Sequence, residues 1–263
     1  MRLVKGSSVA SVRQRMNRLA KELTGAARSP EDPDAVHDLR VAIRRFVESI
    51  KIFPEVCGHS QSRKFRRKLK PLIRALGEVR NLDVTTGVLA AARIRPTPVI
   101  TRQIQSEKRK AEKALTKILR SWRKRETLEE WRKDLKGKAG GARAFSAARD
   151  EAPDMLVKLV KNGECALEPG VSYRRMHRFR IASKRLRYTL ELFWPDNKNE
   201  LKLLKQLQDH LGSVNDCVTV LDLIDDAPNI TERVRALRTL RENALREFWK
   251  ENHGTLSAAS RRS

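Results

Sequence analysis

The chain has 263 residues, of which 57 are Lys or Arg and 32 are Asp or Glu, so its formal charge is +25. Hydrophobic residues make up 40% of the chain, enough for a buried core, which excludes a wholly disordered protein. No apolar run reaches the length of a membrane span, and the first residues lack the apolar stretch of a secretion signal. The composition predicts a folded cytoplasmic protein with a polyanionic partner: nucleic acid, an anionic membrane or a phosphate polymer.

Apolar residues recur at helical spacing along nearly the whole chain, and the alternating runs typical of strands are missing. The positions of Pro and Gly divide this pattern into segments. We therefore predict an all-α protein with helices over Ser8–Leu23, Pro33–Phe53, Gln61–Val79, Leu82–Arg93, Pro98–Arg125, Leu128–Leu135, Ala142–Lys161, Tyr173–Phe193, Lys198–Leu211, Asp216–Asp225 and Thr231–Glu251. Pro71 lies inside one segment and predicts a kink, whereas residues 253–263 are predicted to be a frayed tail.

The chain contains an internal repeat of two blocks. His37–Phe53 aligns with His177–Phe193 at an offset of 140 residues, and Lys70–Asn81 aligns with Lys205–Asp216 at an offset of 135. Two blocks that repeat in the same order indicate a tandem duplication of a helical unit. We predict an N-terminal helical subdomain over residues 1–125 and a C-terminal one over residues 126–252. Asp32 and Ser172 stand at equivalent places before the histidine helices and are predicted N-caps.

The repeated helices are amphipathic, with a basic face opposite the apolar one. In the first copy this face carries His37, Arg40, Arg44 and Lys51 on one helix and Arg63, Arg67, Lys70 and Arg74 on the next. In the second copy it carries His177, Arg180, Lys184 and, at its edge, Arg187, followed by Lys198, Lys202 and Lys205. Like charges one helical turn apart repel, so an external anion is predicted to stabilise them. A solvated basic surface is the alternative.

The motifs HDLRVAIRRFVESIKIF, LGEVRNLDV, MHRFRIASKRLRYTLELF and LGSVNDCV closely resemble the CHAD family (conserved histidine α-helical domain). The resemblance covers residues 8–251, and it identifies the whole chain as a single CHAD domain. It implies a pseudo-symmetric pair of antiparallel, four-helix-type bundles with a basic groove or pore between them. It also implies binding of inorganic polyphosphate without catalysis. Association with polyphosphate granules, regulation of polymer length and scaffolding all stay open as cellular roles. Carried over to this chain, the binding positions are His37, Arg40, Arg44 and Arg45, then His177, Arg180, Lys184 and Arg185.

A linear phosphate polymer also fits the residue types. Aromatic residues are only 5% of the chain and most fall on predicted core faces, whereas single-stranded nucleic acids are bound on exposed aromatic rings. Nucleic acid stays open as a weaker competitor, and an enzyme acting on phosphate polymers or triphosphates is the remaining alternative. Asp209, Tyr188 and Glu191 interrupt the second basic face, so an equal contribution from the two copies is not predicted.

Other candidate sites are weaker. His37 and His177 are open to two interpretations, as phosphate donors or as structural residues. Asn81, Asp83 and Asp216 are predicted to cap helices that begin after the Leu-Gly pairs. No metal, cofactor or catalytic set is predicted, because the three cysteines are widely spaced and no HExxH, Walker or dinucleotide motif occurs. The basic run Lys108–Arg125 is typical of a solvated long helix, with an extension of the anion-binding surface as the alternative.

Overall fold

The computed structural model describes residues 8–124, 127–135, 141–224 and 228–260, and all regular structure within them is helical, which confirms the all-α class. The helices are α1 (Ser8–Arg28), α2 (Pro33–Ile52), a 3-10 turn (Pro54–Val56), α3 (His59–Ala91), α4 (Pro98–Lys124), α5 (Thr127–Asp134), α6 (Gly141–Asp150), α7 (Ala152–Ala166), α8 (Tyr173–Phe193), α9 (Lys198–Leu223) and α10 (Pro228–Ser260).

Two pairs of predicted helices are single continuous helices in the structure. α3 runs through Gly77 and α9 runs through Gly212, and neither glycine has the positive φ that would end a helix. A glycine inside a helix costs about 1 kcal/mol relative to alanine, which is too little to break a helix that packs along its whole length. The predicted capping role of Asn81, Asp83 and Asp216 is therefore wrong, since all three lie inside helices.

Other boundaries also differ from the predicted ones. The segment predicted as one helix over Ala142–Lys161 is two helices, α6 and α7, because Pro153 begins α7. α10 continues to Ser260 and buries Leu256, where the sequence predicts a frayed tail from residue 253; residues 261–263 lie outside the described ones. Pro71 lies inside α3, and the kink at this residue stays a prediction.

The two predicted N-caps behave differently. The Asp32 carboxylate accepts a hydrogen bond from the main-chain N–H of Asp34 at 2.9 Å, and Pro33 follows it in the first turn of α2. Ser172 occupies the N-cap position of α8, but its side chain makes no capping hydrogen bond. The sequence pattern thus located both helix starts and identified the capping contact at one of them.

The chain folds as two compact units that are interleaved in sequence. One unit holds the described residues of 5–83 and 96–148, and the other holds those of 84–95 and 149–263. In the first unit α1 packs on α2 and α4, and in the second α7 packs on α8 and α10 while α9 packs on both α8 and α10. The end of α3 after Asp83 belongs to the second unit. The division at residue 125 follows the sequence repeat and stays a prediction.

Aromatic side chains form the core of each unit and leave the polar helix faces to solvent. In the first unit the rings of Phe65 and Trp131 lie 4.3 Å apart, with Phe46 6.2 Å from each of them. In the second unit Phe179 packs edge-on against Trp249 at 5.4 Å. Such pairs stabilise a core by about 0.5–1.5 kcal/mol beyond the area they bury, so these rings hold the helices in a defined rotation.

Candidate functional site

The α3 basic face, which consists of Arg63, Arg67, Lys70 and Arg74, is exposed along its whole length. It is directed away from the core because Phe65, Leu69, Leu72 and Leu76 are fully buried on the opposite side of the helix. Arg63 and Arg74 are eleven residues apart in sequence, which corresponds to about 16 Å along the helix axis. In the described parts of the chain, no carboxylate lies within ion-pair distance of any of these four cations. The face therefore offers four uncompensated positive charges in a row.

The predicted residues of α2 are less available than those of α3. Arg40 is half-buried and its guanidinium donates a hydrogen bond of 2.7 Å to the main-chain carbonyl of Leu76 on α3. Lys51 forms an ion pair of 2.5 Å with Glu48, and Arg44 and Arg45 are half-buried. His37, the fifth residue of α2, is exposed. Arg40 thus fastens α2 to α3 in addition to any contact with a ligand.

His177 on α8 has a defined hydrogen-bonding environment. Its Nδ1 lies 3.5 Å from the hydroxyl of Tyr173, and that hydroxyl donates to Asn215 Oδ1 on α9 at 2.7 Å. Burial raises the pKa of the Tyr173 phenol, with nearby Arg180 acting in the opposite direction. These contacts favour a structural role for the Nδ1 atom of His177.

The C-terminal half of the α8 polar face is internally neutralised. Arg187 pairs with Glu191 at 3.1 Å, both side chains are less than one-fifth exposed, and the guanidinium lies over the Tyr188 ring. Tyr188 itself is buried. Tyr188 and Glu191, which interrupt the basic pattern on this helix, are therefore structural, and Glu191 compensates the charge of Arg187. Arg180 and Lys184 are half-buried, and Arg185 is exposed.

The α9 basic face, which consists of Lys198, Lys202 and Lys205, is exposed. It carries fewer uncompensated positive charges than the α3 basic face. Lys205 forms an ion pair of 3.2 Å with Asp209, the residue that stands where the first copy has Arg74. α9 is held against α8 by Gln208, whose amide donates to the main-chain carbonyl of Ser183 at 2.9 Å. The structure thus brings the first-copy residues together in one unit and the second-copy residues together in the other.

The sequence analysis missed three exposed arginines on α8, Arg174, Arg175 and Arg178. Arg174 and Arg178 lie on the outward side of this helix, where the first copy has Asp34 and Asp38 at the same offset of 140 residues. The repeat alignment could have identified them, because two acidic residues of the first copy are replaced by two basic residues in the second. The outward face of the second histidine helix is therefore more basic than that of the first.

Several other arginines have structural roles. Arg13, Arg241 and Arg246 donate to the main-chain carbonyls of residues far away in sequence, at 3.2, 2.8 and 2.9 Å respectively. Such contacts satisfy carbonyls that helix ends and helix crossings leave without partners. Part of the positive charge of the chain is thus used to join helices.

The remaining histidines and the cysteines show no arrangement typical of a metal or catalytic site. His210 packs on the Phe248 ring at 4.9 Å, and His253 Nδ1 lies 3.0 Å from the carbonyl of Trp249. Within the described residues, no three His, Cys, Asp or Glu side chains are grouped so that they could hold a metal ion. Burial, together with the charges of Glu55 and Asp134, raises the pKa of the Cys57 thiol to about 11.

The chain belongs to the CHAD domain family, whose model matches residues 10–225, which include both histidine helices and both Leu-Gly blocks. This confirms the resemblance drawn from the motifs. No curated protein sequence matches the chain. In the described parts of the chain, no helix combines the length and the apolar character needed to cross a bilayer.

Solved structures share the fold of this chain, and they include the following two. One is the crystal structure of the CHAD domain from the plant Ricinus communis, with 22% sequence identity, coverage of 96% of this chain and 90% of that one, and a TM-score of 0.61. The other is PptA from Streptomyces chartreusis, with 13% identity, coverage of 97% and 98%, and a TM-score of 0.63. At these identities the likeness establishes the fold of the chain.

Proposed function

We propose that the protein binds inorganic polyphosphate, non-catalytically, through the basic faces of its helices. The observation that carries the proposal is the α3 basic face, where four exposed cations in a row have no carboxylate within ion-pair distance among the described residues. CHAD domains are a family associated with polyphosphate and triphosphate binding, which agrees with this ligand class. Arginine supplies planar forks that match phosphate oxygens, and lysine supplies point charges.

The distribution of aromatic side chains favours a phosphate polymer over single-stranded nucleic acid. In the described parts of the chain no Phe, Tyr or Trp side chain is exposed, since these rings are buried or half-buried. Proteins that bind single strands stack the bases on exposed rings, each worth about 1–3 kcal/mol. A ligand made only of phosphate needs no such ring, so the surface chemistry fits polyphosphate better.

The first copy is proposed to bind more strongly than the second. The α3 basic face keeps all four of its charges uncompensated, whereas Arg187 and Lys205 in the second copy are each paired with a carboxylate. A ligand that binds a paired cation has to displace the carboxylate first, which weakens the net interaction. The two copies thus contribute unequally to one binding function.

The proposal is tested by calorimetric titration of the protein with long-chain polyphosphate at physiological salt. We expect Arg67→Ala combined with Lys70→Ala to lower the affinity about fivefold or more, because partly screened charge contacts each contribute up to about 1 kcal/mol. Lys110→Ala is the matched control, since Lys110 is exposed but already paired with Glu107 at 2.7 Å. Equal losses in both variants would contradict a site on α3.

Competition and turnover decide between this function and its alternatives. We expect ATP and duplex DNA to displace long-chain polyphosphate poorly at equal phosphate concentration. Displacement by DNA at equal or lower concentration would make the surface a general polyanion site instead. Release of phosphate or shorter chains in the presence of Mg²⁺ would overturn the non-catalytic assignment. A protein that binds the polymer is expected to collect at polyphosphate granules.

A further inference from the structure

The outward side of α4 forms a groove outside the residues proposed above. The apolar side of this helix buries Ala111, Leu115 and Leu119. On the opposite side lies a groove of about 500 Å³, which we call the α4 groove, lined by Arg109, Glu112, Lys113, Thr116, Lys117 and Arg120. The groove belongs to one helix, and its walls are the long side chains themselves.

The charges of the α4 groove are largely uncompensated. Arg109, Lys113, Lys117 and Arg120 are exposed, and no carboxylate of the described residues lies within ion-pair distance of them. Other cations of the same helix are paired: Lys108 lies 2.6 Å from Asp83 and 3.9 Å from Glu112, and Lys110 lies 2.7 Å from Glu107. The groove thus contains four unpaired cations and one carboxylate, which is itself close to Lys108.

The spacing of the four cations suits an extended anion. Arg109, Lys113, Lys117 and Arg120 follow one another at intervals of four, four and three residues, and together they extend about 16 Å along the helix. Each such pair of like charges destabilises an isolated helix by a few tenths of a kcal/mol. An anion lying along the groove would contact all four cations at once and offset this repulsion.

The side chains of the groove also limit the class of ligand. Arg109 and Arg120 stand at its two ends and can each hold a phosphate by a two-point contact, while Lys113 and Lys117 supply charge between them. None of the described residues that line the groove is aromatic, so none of them would stack on the base of a nucleotide. The hydroxyl of Thr116 donates to the carbonyl of Glu112 at 2.8 Å and is not available as a donor to the ligand.

We infer that the α4 groove binds a short segment of a phosphate chain, as a second contact region separate from α2 and α3. The inference rests on the proposed function, because it assigns a further region of the same protein to the same ligand class. The proposed ligand of this region is a phosphate chain without a nucleoside, so tripolyphosphate is the appropriate probe.

The test follows main-chain amide resonances of the full chain during titration with tripolyphosphate. We expect the amides of residues 109–120 to shift, and we expect Lys113→Gln combined with Lys117→Gln to weaken the response at least fivefold. Glutamine is a good helix former, so these changes preserve α4. Lys110→Gln is the matched control and is expected to leave the response unchanged, while Glu112→Gln is expected to strengthen it about twofold.

The outcomes separate this inference from the proposed function. If long-chain polyphosphate binds and Arg67→Ala with Lys70→Ala weakens it, but the amides of residues 109–120 do not move, the α4 groove is overturned and the proposed function stands. If tripolyphosphate shifts those amides while long chains do not bind, the proposed function fails and the groove stands. Equal shifts with sulfate at the same ionic strength would overturn the assignment to phosphate chains.

Discussion

At the scale of single residues, the two histidines at equivalent places in the repeat have different surroundings. Tyr173 stands four residues before His177, whereas Pro33 stands at the same distance before His37. The Asn215 amide donates to Thr219 Oγ1 at 3.5 Å, which leaves Asn215 Oδ1 to accept the Tyr173 proton. In a hydrogen bond between the two side chains the tyrosine oxygen accepts, which favours the His177 tautomer that carries its proton on Nδ1 and leaves Nε2 for other partners.

Tyr173→Phe tests this arrangement. We expect it to lower the free energy of unfolding by about 1–2 kcal/mol, because the change removes two hydrogen bonds and leaves Asn215 Oδ1 without its donor. The ¹⁵N resonances of the His177 ring should move towards a mixture of tautomers, while those of His37 should not change. Thermal unfolding and histidine NMR measure the two effects. Unaltered His177 ring signals would show that Tyr173 does not select the tautomer.

Hydrogen-bond partners also separate ligand-binding arginines from structural ones. The sequence predicts Arg40 as a binding residue from its position on the polar face, and the structure adds its bond to the Leu76 carbonyl. An alanine at this position would therefore change both packing and charge. The exposed residues of the α3 basic face are better probes of binding, since their removal leaves the core intact.

At the scale of helices, the approach of α7 to α10 depends on a single glycine. A Cβ atom added to Gly163 would lie 2.2 Å from Cζ2 of Trp249, far inside van der Waals contact. The Trp249 ring is in turn held by Phe179 from α8. Three helices of the second unit thus meet at a point where only a hydrogen atom fits.

Gly163→Ala is expected to destabilise the protein by about 1–3 kcal/mol, because the added methyl group forces Trp249 or the helix backbone to move. Gly212→Ala is the matched control in α9, where nothing lies within 4 Å of the added Cβ. There alanine is expected to stabilise by about 0.5–1 kcal/mol through helix propensity. Chemical denaturation of both variants checks the two signs, and a loss at Gly212 equal to that at Gly163 would contradict the packing argument.

At the scale of the whole molecule, the net charge stays at +25 even if every carboxylate is ion-paired, because it already sets 32 Asp and Glu against 57 Lys and Arg. Binding of a polyanion by such a surface releases counterions, so its affinity falls as salt is added. The slope of the logarithm of the affinity against the logarithm of the salt concentration reports how many phosphates are contacted.

Removal of Arg67 and Lys70 together is expected to reduce this slope by about 1.4, using the value for single-stranded polyanions. Fluorescence anisotropy with labelled polyphosphate, at several salt concentrations, measures the change. Lys205→Ala is expected to alter the slope less than either cation of α3 does, because Asp209 already neutralises it in the free protein. A slope that stays the same in the double variant would mean that these two cations contact no phosphate.

Periodicity made much of this molecule predictable from its sequence. The start of α2, the bounds of α8 and the exposed row on α3 follow from residues three and four apart, which share a helix face whatever they pack against. The helix breaks predicted after Val79 and Leu211 are wrong, because the nearby glycines Gly77 and Gly212 disfavour a helix only weakly. Packing along the rest of each helix outweighs that preference.

The sequence by itself determined the helical class, the repeated blocks and the residue types of the basic faces, because each of these is a property of neighbours along the chain. Only the tertiary structure decided which charges remain available. Arg40 meets the Leu76 carbonyl, 36 positions further along the chain, and Gly163 meets Trp249 from another helix. Such contacts arise when the helices fold against one another, and no local pattern contains them.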